Sequence, residues 1–294
     1  MDSDSPAISE DERRFFIITA SRTGSSLLSA ILADAGASFG MEAPQHWNPS
    51  GGALEHPDLL RAARYYRRAA AIAPARPRFG IARLRWVAYR SLAKRRLREA
   101  LAGARFVKLE NTHDLIRPAF RLGYFPTIIV NYRAFEDQAV SLGMLHTHAT
   151  WESLRDRFQS IYGNALWLLN TFGGCAVDYA QLHDQADDSW ARALAQTTGL
   201  ALECLLAARD RRLDHRHAAA AARAFDPSLG SLFAALQDLR NRSVPPSPPA
   251  LRAWLAAKSA RTAGRLAAPE RAPHPLGPFS PFADKGFPSG ENAL

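Results

Sequence analysis

From Phe15 to Leu32 the chain reads as three consecutive signals. Phe15-Phe16-Ile17-Ile18 is a short continuous apolar run, the pattern of a strand buried on both faces of a parallel sheet. Ser21 to Ser26 is a small-residue polar turn holding a single glycine, Gly24. Leu27, Leu28, Ile31 and Leu32 then recur at helical spacing up to a stop at Gly36. Strand, small-residue loop and helix N-terminus together predict an anion site, because loop N–H groups and the helix dipole converge on one point.

The loop residues narrow the anion. A nucleoside-triphosphatase loop needs G-x-x-x-x-G-K-[ST], and this loop has neither the lysine nor the first glycine. It reads Arg22-Thr23-Gly24-Ser25-Ser26-Leu27-Leu28 instead. A second buried-strand pattern, Thr127 to Tyr132, ends in Arg133, and Ser141 follows eight positions later on a predicted helix. Eight positions are about two helical turns, which returns the serine toward the strand end.

These two elements resemble the phosphate-binding elements of sulfotransferases that use 3′-phosphoadenosine 5′-phosphosulfate. The resemblance implies a P-loop-like α/β fold, a parallel sheet flanked by helices. It implies that Arg22, Thr23, Gly24, Ser25, Ser26 and Leu27 hold the 5′-phosphate, with Arg22 also reaching the sulfuryl group. Arg133 and Ser141 hold the 3′-phosphate in this reading. Arginine suits both tasks because its planar fork meets two oxyanion oxygens at once. The resemblance runs from about residue 15 to 205, in pieces.

Further pieces supply catalytic candidates. Asn48 to Leu60 is similar to the family's acceptor-facing loop, although Gly52-Ala53-Leu54 departs from its usual aromatic pair. The reaction needs a general base for the acceptor hydroxyl, and Glu55 ranks first. Glu42 ranks second, from its place after the first helix. Lys108 ends the strand Arg105 to Leu109 and resembles the family's strand lysine, placed to stabilise the moving sulfuryl oxygens. His113 ranks third, since it stands five positions beyond Lys108 rather than two. Tyr179, after the strand pattern before it, corresponds to a tyrosine that approaches the adenine. No metal is required in this reading.

Other features are weaker. Gly36-Ala37-Ser38-Phe39-Gly40 is formally G-x-S-x-G, but it follows a helix instead of a strand. His146 and His148 lack further ligands in view, so they read as a polar helix end. Cys175 and Cys204 are the only cysteines, which implies no disulfide framework and fits a reducing compartment. Met1 to Arg14 lacks a signal-peptide core, and no apolar stretch approaches a membrane span. Family members of the Golgi carry an anchor, so the expectation is a cytoplasmic enzyme.

Charge is concentrated. The chain carries a formal +9, yet residues 61–105 alone hold 14 Lys and Arg against one acid, Glu99. This block reads as two helices broken around Pro74 and Pro77. It is expected as a basic insertion near the acceptor cleft, drawing an anionic acceptor or touching an anionic membrane surface. No stacking platform accompanies it, which argues against nucleic acid. The acceptor class stays open among small metabolites, saccharides and lipids. The predicted organisation is a polar tail over 1–14, a domain over 15–242, and a Pro-rich extended tail over 243–294.

Overall fold

The computed structural model describes residues 8–20, 22–40, 54–72, 80–109, 112–143, 150–212 and 226–262. Four strands form one parallel sheet: β1 (Arg13–Thr19), β2 (Phe106–Lys108), β3 (Phe125–Tyr132) and β4 (Gly174–Asp178), in the order β2-β1-β3-β4. Alternation along β1 divides the core in two. Phe16 and Ile18 point to one face with Val107, Ile128 and Val130; Phe15 and Ile17 point to the other with Phe106, Ile129 and Val177. Both faces are covered, which is why the strands read as unbroken apolar runs.

On the first face lie α2 (Pro57–Ile72), α3 (Ile81–Gly103), α4 (His113–Leu122) and α6 (Trp151–Phe172), through residues such as Leu59, Leu97, Ile116 and Phe158. On the second lie α1 (Ser25–Asp34), α8 (Ser189–Thr198) and α9 (Leu202–Arg212), through Leu28, Ile31, Trp190 and Leu205. Between them the chain adds α5 (Phe135–Gly143) and the short α7 (Tyr179–His183). A layered α/β architecture with an all-parallel sheet is therefore observed. The basic block forms the expected helix pair, α2 and α3, with Tyr65 stacked on Tyr89 across it at 6.0 Å.

Both ends of the predicted domain need correction. Arg13 and Arg14 belong to β1, and Arg14 Nε donates to the Leu101 carbonyl at 2.8 Å, so the domain begins before residue 15. At the other end, Val244 is not part of a free spacer. It exchanges backbone hydrogen bonds with Gly174 and so closes the exposed edge of β4. After α10 (Gly230–Leu239), the prolines Pro248 and Pro249 open a last helix, α11 (Pro248–Thr262), in the first-turn positions where a missing N–H is harmless. Its Trp254 is fully buried, edge-on to Phe125 with ring centroids 5.7 Å apart. Residues 263–294 of the expected tail lie outside the described residues. Trp151, which opens α6, remains 43% exposed; its ring is edge-on to Phe135 and its indole N–H donates to Asp226 Oδ2 at 3.4 Å.

Two outcomes follow from this packing. Trp254→Ala is expected to destabilise the domain by about 3–5 kcal/mol, the usual loss for a buried aromatic; a chain with an unpacked tail would show no change in its unfolding midpoint. The second concerns His56, buried before α2, whose Nδ1 accepts from the Asp58 N–H at 3.1 Å. Burial pushes its pKa down, partly opposed by the Asp58 carboxylate. The unfolded chain therefore binds this proton more readily, so stability is full above the ordinary histidine range and falls as pH drops below it. Thermal midpoints measured from about pH 7.5 to 5.5 should fall more for the wild type than for His56→Gln.

Candidate functional site

Strand order makes one crevice unavoidable. The chain leaves β1 for β2 on one side and then returns to β3 on the other, so the connections diverge above the C-terminal ends of β1 and β3. Open α/β sheets bind their ligands at such a switch point. The loop after β1 and the segment after β3 both open there.

The loop is anchored from below by a buried polar network. Thr23 is fully buried, its hydroxyl 2.9 Å from the Ala20 carbonyl and 3.3 Å from Asn131 Oδ1, and it also pairs with the Thr19 hydroxyl. Tyr162, on α6, donates to the Asn131 carbonyl at 2.9 Å and accepts from the Ala20 N–H at 3.3 Å. Burial pushes the Tyr162 phenol up, so it stays a neutral donor. Four side chains from β1, β3, α6 and the loop itself thus hold the turn in one place.

What the network holds is an uncapped helix start. Gly24 is the N-cap of α1 at φ 78°, no side chain among the described residues caps the helix, and its first turn has no acidic residue. Helices α6 and α7 differ, with Thr150 and Asp178 accepting from their first-turn N–H groups. Arg22 also adopts a left-handed backbone, φ 68°, an unfavourable state for a residue with a Cβ and one that clusters at functional sites.

The sequence-predicted residues meet around this turn. Arg22 Nε donates to the Ser141 hydroxyl at 3.1 Å, joining the two predicted phosphate elements across 119 positions. Lys108, buried at the end of β2, donates to the Ser26 hydroxyl at 3.2 Å. The Tyr179 ring lies against Gly24 so closely that a Cβ there would come within 2.0 Å of it. The Arg133 guanidinium stands 4.7 Å above the same ring and 3.7 Å from the Asp137 carboxylate. Ser25 opens α1, and Leu27 packs into the core below. Three strand ends and two helix starts therefore contribute to one basic cluster.

The base candidates stand at helix starts. Glu55 is half-buried just before α2, and His113 is the first residue of α4, 3.5 Å from the Asp114 carboxylate. Glu42, His146 and His148 lie outside the described residues. Ser38 of the formal G-x-S-x-G is exposed, and its carbonyl receives the Arg105 and Phe106 N–H groups at the start of β2, the opposite end of the sheet from the loop. It is no nucleophile elbow.

Asn131 and Tyr162 are the residues that motif reading passes over. Asn131 carried a signal, a polar side chain near the end of an otherwise apolar buried strand. Tyr162 carried none, since its helix position fits an ordinary core face. Set against family models, curated proteins and solved structures, the chain matches none.

The close approach at Gly24 gives a direct test. Gly24→Ala adds an overpacked Cβ to a left-handed backbone, and is expected to lower stability by about 3 kcal/mol or more. Gly36→Ala is the comparator: its φ is 100° but nothing lies within 4 Å, so only the backbone term of about 1–2 kcal/mol applies. Denaturant unfolding of both variants reads the difference.

Proposed function

We propose that this chain transfers a sulfuryl group from 3′-phosphoadenosine 5′-phosphosulfate to a hydroxyl of an acceptor. The observation that carries the proposal is the Arg22–Ser141 hydrogen bond at 3.1 Å. It puts the loop read as the 5′-phosphate site beside the segment read as the 3′-phosphate site, at the switch point of the sheet. Adjacent parallel strands β1 and β3 carry the two sequence matches to the same end of the sheet, where one ligand could span them.

The residues fit a ligand with two separate anionic groups. The bare N-terminus of α1 offers N–H groups from Ser25, Ser26 and Leu27 to the 5′-phosphate, with dipole potential in its favour. Arg133 Nε is buried and makes no hydrogen bond among the described residues, with the Asp137 carboxylate 3.7 Å away, so the guanidinium keeps donors for a 3′-phosphate. Ser141 supplies a hydroxyl beside it. Tyr179, pinned between Gly24 and Arg133, presents an aromatic edge for the base. The donor supplies the activated sulfuryl group. Lys108 and Arg22 hold positive charge where its oxygens gain negative character, in a partly desolvated setting where such charge is most effective. Glu55 takes the acceptor proton, with Glu42 and His113 as its rivals.

A nucleotide-binding protein without turnover is the second reading. It keeps the same nucleotide-binding cluster and lacks a competent general base.

Calorimetry separates these possibilities. 3′-Phosphoadenosine 5′-phosphate should bind at least roughly tenfold more tightly than adenosine 5′-phosphate, given about 1.5–3 kcal/mol per charge-assisted contact. Arg133→Ala and Ser141→Ala should erase that difference while leaving adenosine 5′-phosphate unaffected. Equal affinities in the wild type overturn the donor assignment. With donor binding intact, Glu55→Gln should lower turnover by about 10²–10⁴-fold; an unchanged rate moves the base to Glu42 or His113.

A further inference from the structure

Helix α3 has two apolar faces, and the fold uses one. Ala93, Leu97, Ala100 and Leu101 are buried against the sheet-facing core. On the opposite side, Ile81, Leu84, Ala88 and Leu92 follow one another at spacings of three and four residues, which places them along a single stripe, with Val87 at its border. Ile81 is 76% exposed, Leu84 71%, Val87 45% and Leu92 41%. They account for four of the five large hydrophobic side chains exposed among the described residues.

The surroundings of the stripe are cationic. Glu99 is already engaged by Arg95 at 2.8 Å, and Asp58 by Arg61 and Arg96. Arg64, Arg67, Arg85, Lys94 and Arg98 are exposed and form no ion pair among the described residues. Arg85 and Lys94 border the stripe on either side by helical position, and Arg95 and Arg98 continue it toward the domain.

We propose that the outer face of α3 is a docking surface for an anionic membrane. Ile81, Leu84, Val87 and Leu92 enter the boundary between headgroups and acyl chains, and the surrounding arginines and Lys94 meet the lipid phosphates. An interfacial helix has this division: bulky aliphatics on one stripe, basic residues beside it, and low mean hydropathy. A second copy of the chain is disfavoured as the occupant, because it would bring two strongly basic helix pairs face to face.

The experiment is co-sedimentation of the full chain with vesicles of phosphatidylcholine alone and with about one-third phosphatidylglycerol. Binding is expected only to the anionic vesicles, and it should be lost on raising salt from about 0.1 to 0.5 M. Ile81→Ser with Leu84→Ser, and separately Arg85→Glu with Lys94→Glu, should each weaken binding by about tenfold or more. All four positions are exposed, and unchanged unfolding midpoints establish that the variants fold. Equal binding to both vesicles, or none to either, overturns the proposal. So does a serine pair that binds like the wild type, which reduces the contact to charge alone. Sedimentation velocity showing a dimer that the serine pair dissolves, without vesicle binding, assigns the face to a second copy instead.

Discussion

The turn between β1 and α1 depends on Thr23 lying wholly inside the protein. A buried hydroxyl without partners is costly, by roughly 1–3 kcal/mol, so its surroundings must be polar and fixed. Thr19, the Ala20 carbonyl and Asn131 supply that setting, and Tyr162 ties Ala20 to Asn131 from the next layer. Because these groups come from adjacent strands and a covering helix, the turn cannot shift without breaking several hydrogen bonds together. That fixity allows Arg22 to keep a left-handed backbone and leaves the α1 N-terminus bare. Structural stability in the layer below is thus converted into a strained, uncapped, positively polarised surface above.

Much of this plan was legible in the sequence, for reasons that are local. Buried parallel strands announce themselves as unbroken apolar runs, so Phe15 to Ile18 and Thr127 to Val130 fell where the strands are. A small-residue turn before a helix has a restricted geometry, and the spacing of Arg133 and Ser141 follows from strand and helix rise. The structure adds their meeting, which is a property of strand order. Whether strands stand as β2-β1-β3-β4 is decided by long-range packing that no single segment encodes.

The C-terminal segment was misread for the same physical reason. Val244 and the prolines after it have the composition of a spacer, and nothing local shows that Gly173, where a Cβ would come within 2.5 Å of the Val244 carbonyl oxygen, leaves room for them. A Cβ on Gly174 would come within 1.7 Å of the Ile128 carbonyl, so β4 approaches β3 there as only glycine permits. Its outer edge then takes Val244, and α11 follows into place with Trp254. Tyr162 illustrates the converse case. Its sequence position marks nothing beyond a helix face, and the phenol's role lies in two hydrogen bonds to backbone groups distant in sequence.

Arginine serves two different physical purposes in the chain, and composition alone conceals this. In the cluster, Arg133 is held by a ring and a carboxylate, and Arg22 by a hydroxyl; their charge is aimed at a fixed point. On α2 and α3 the guanidinium groups are mostly solvated, and their charge acts as a field with a range of about a Debye length, roughly 8–10 Å. A field of that reach cannot select a ligand by geometry, but it can raise the local concentration of any anionic surface. Selection must then come from the cluster, where donors are counted and placed. The division explains why the apolar stripe of α3 is tolerable on an otherwise charged helix. Surrounded by cations, it makes a poor face for its own copy, and in the proposed membrane docking those same cations would meet the lipid phosphates.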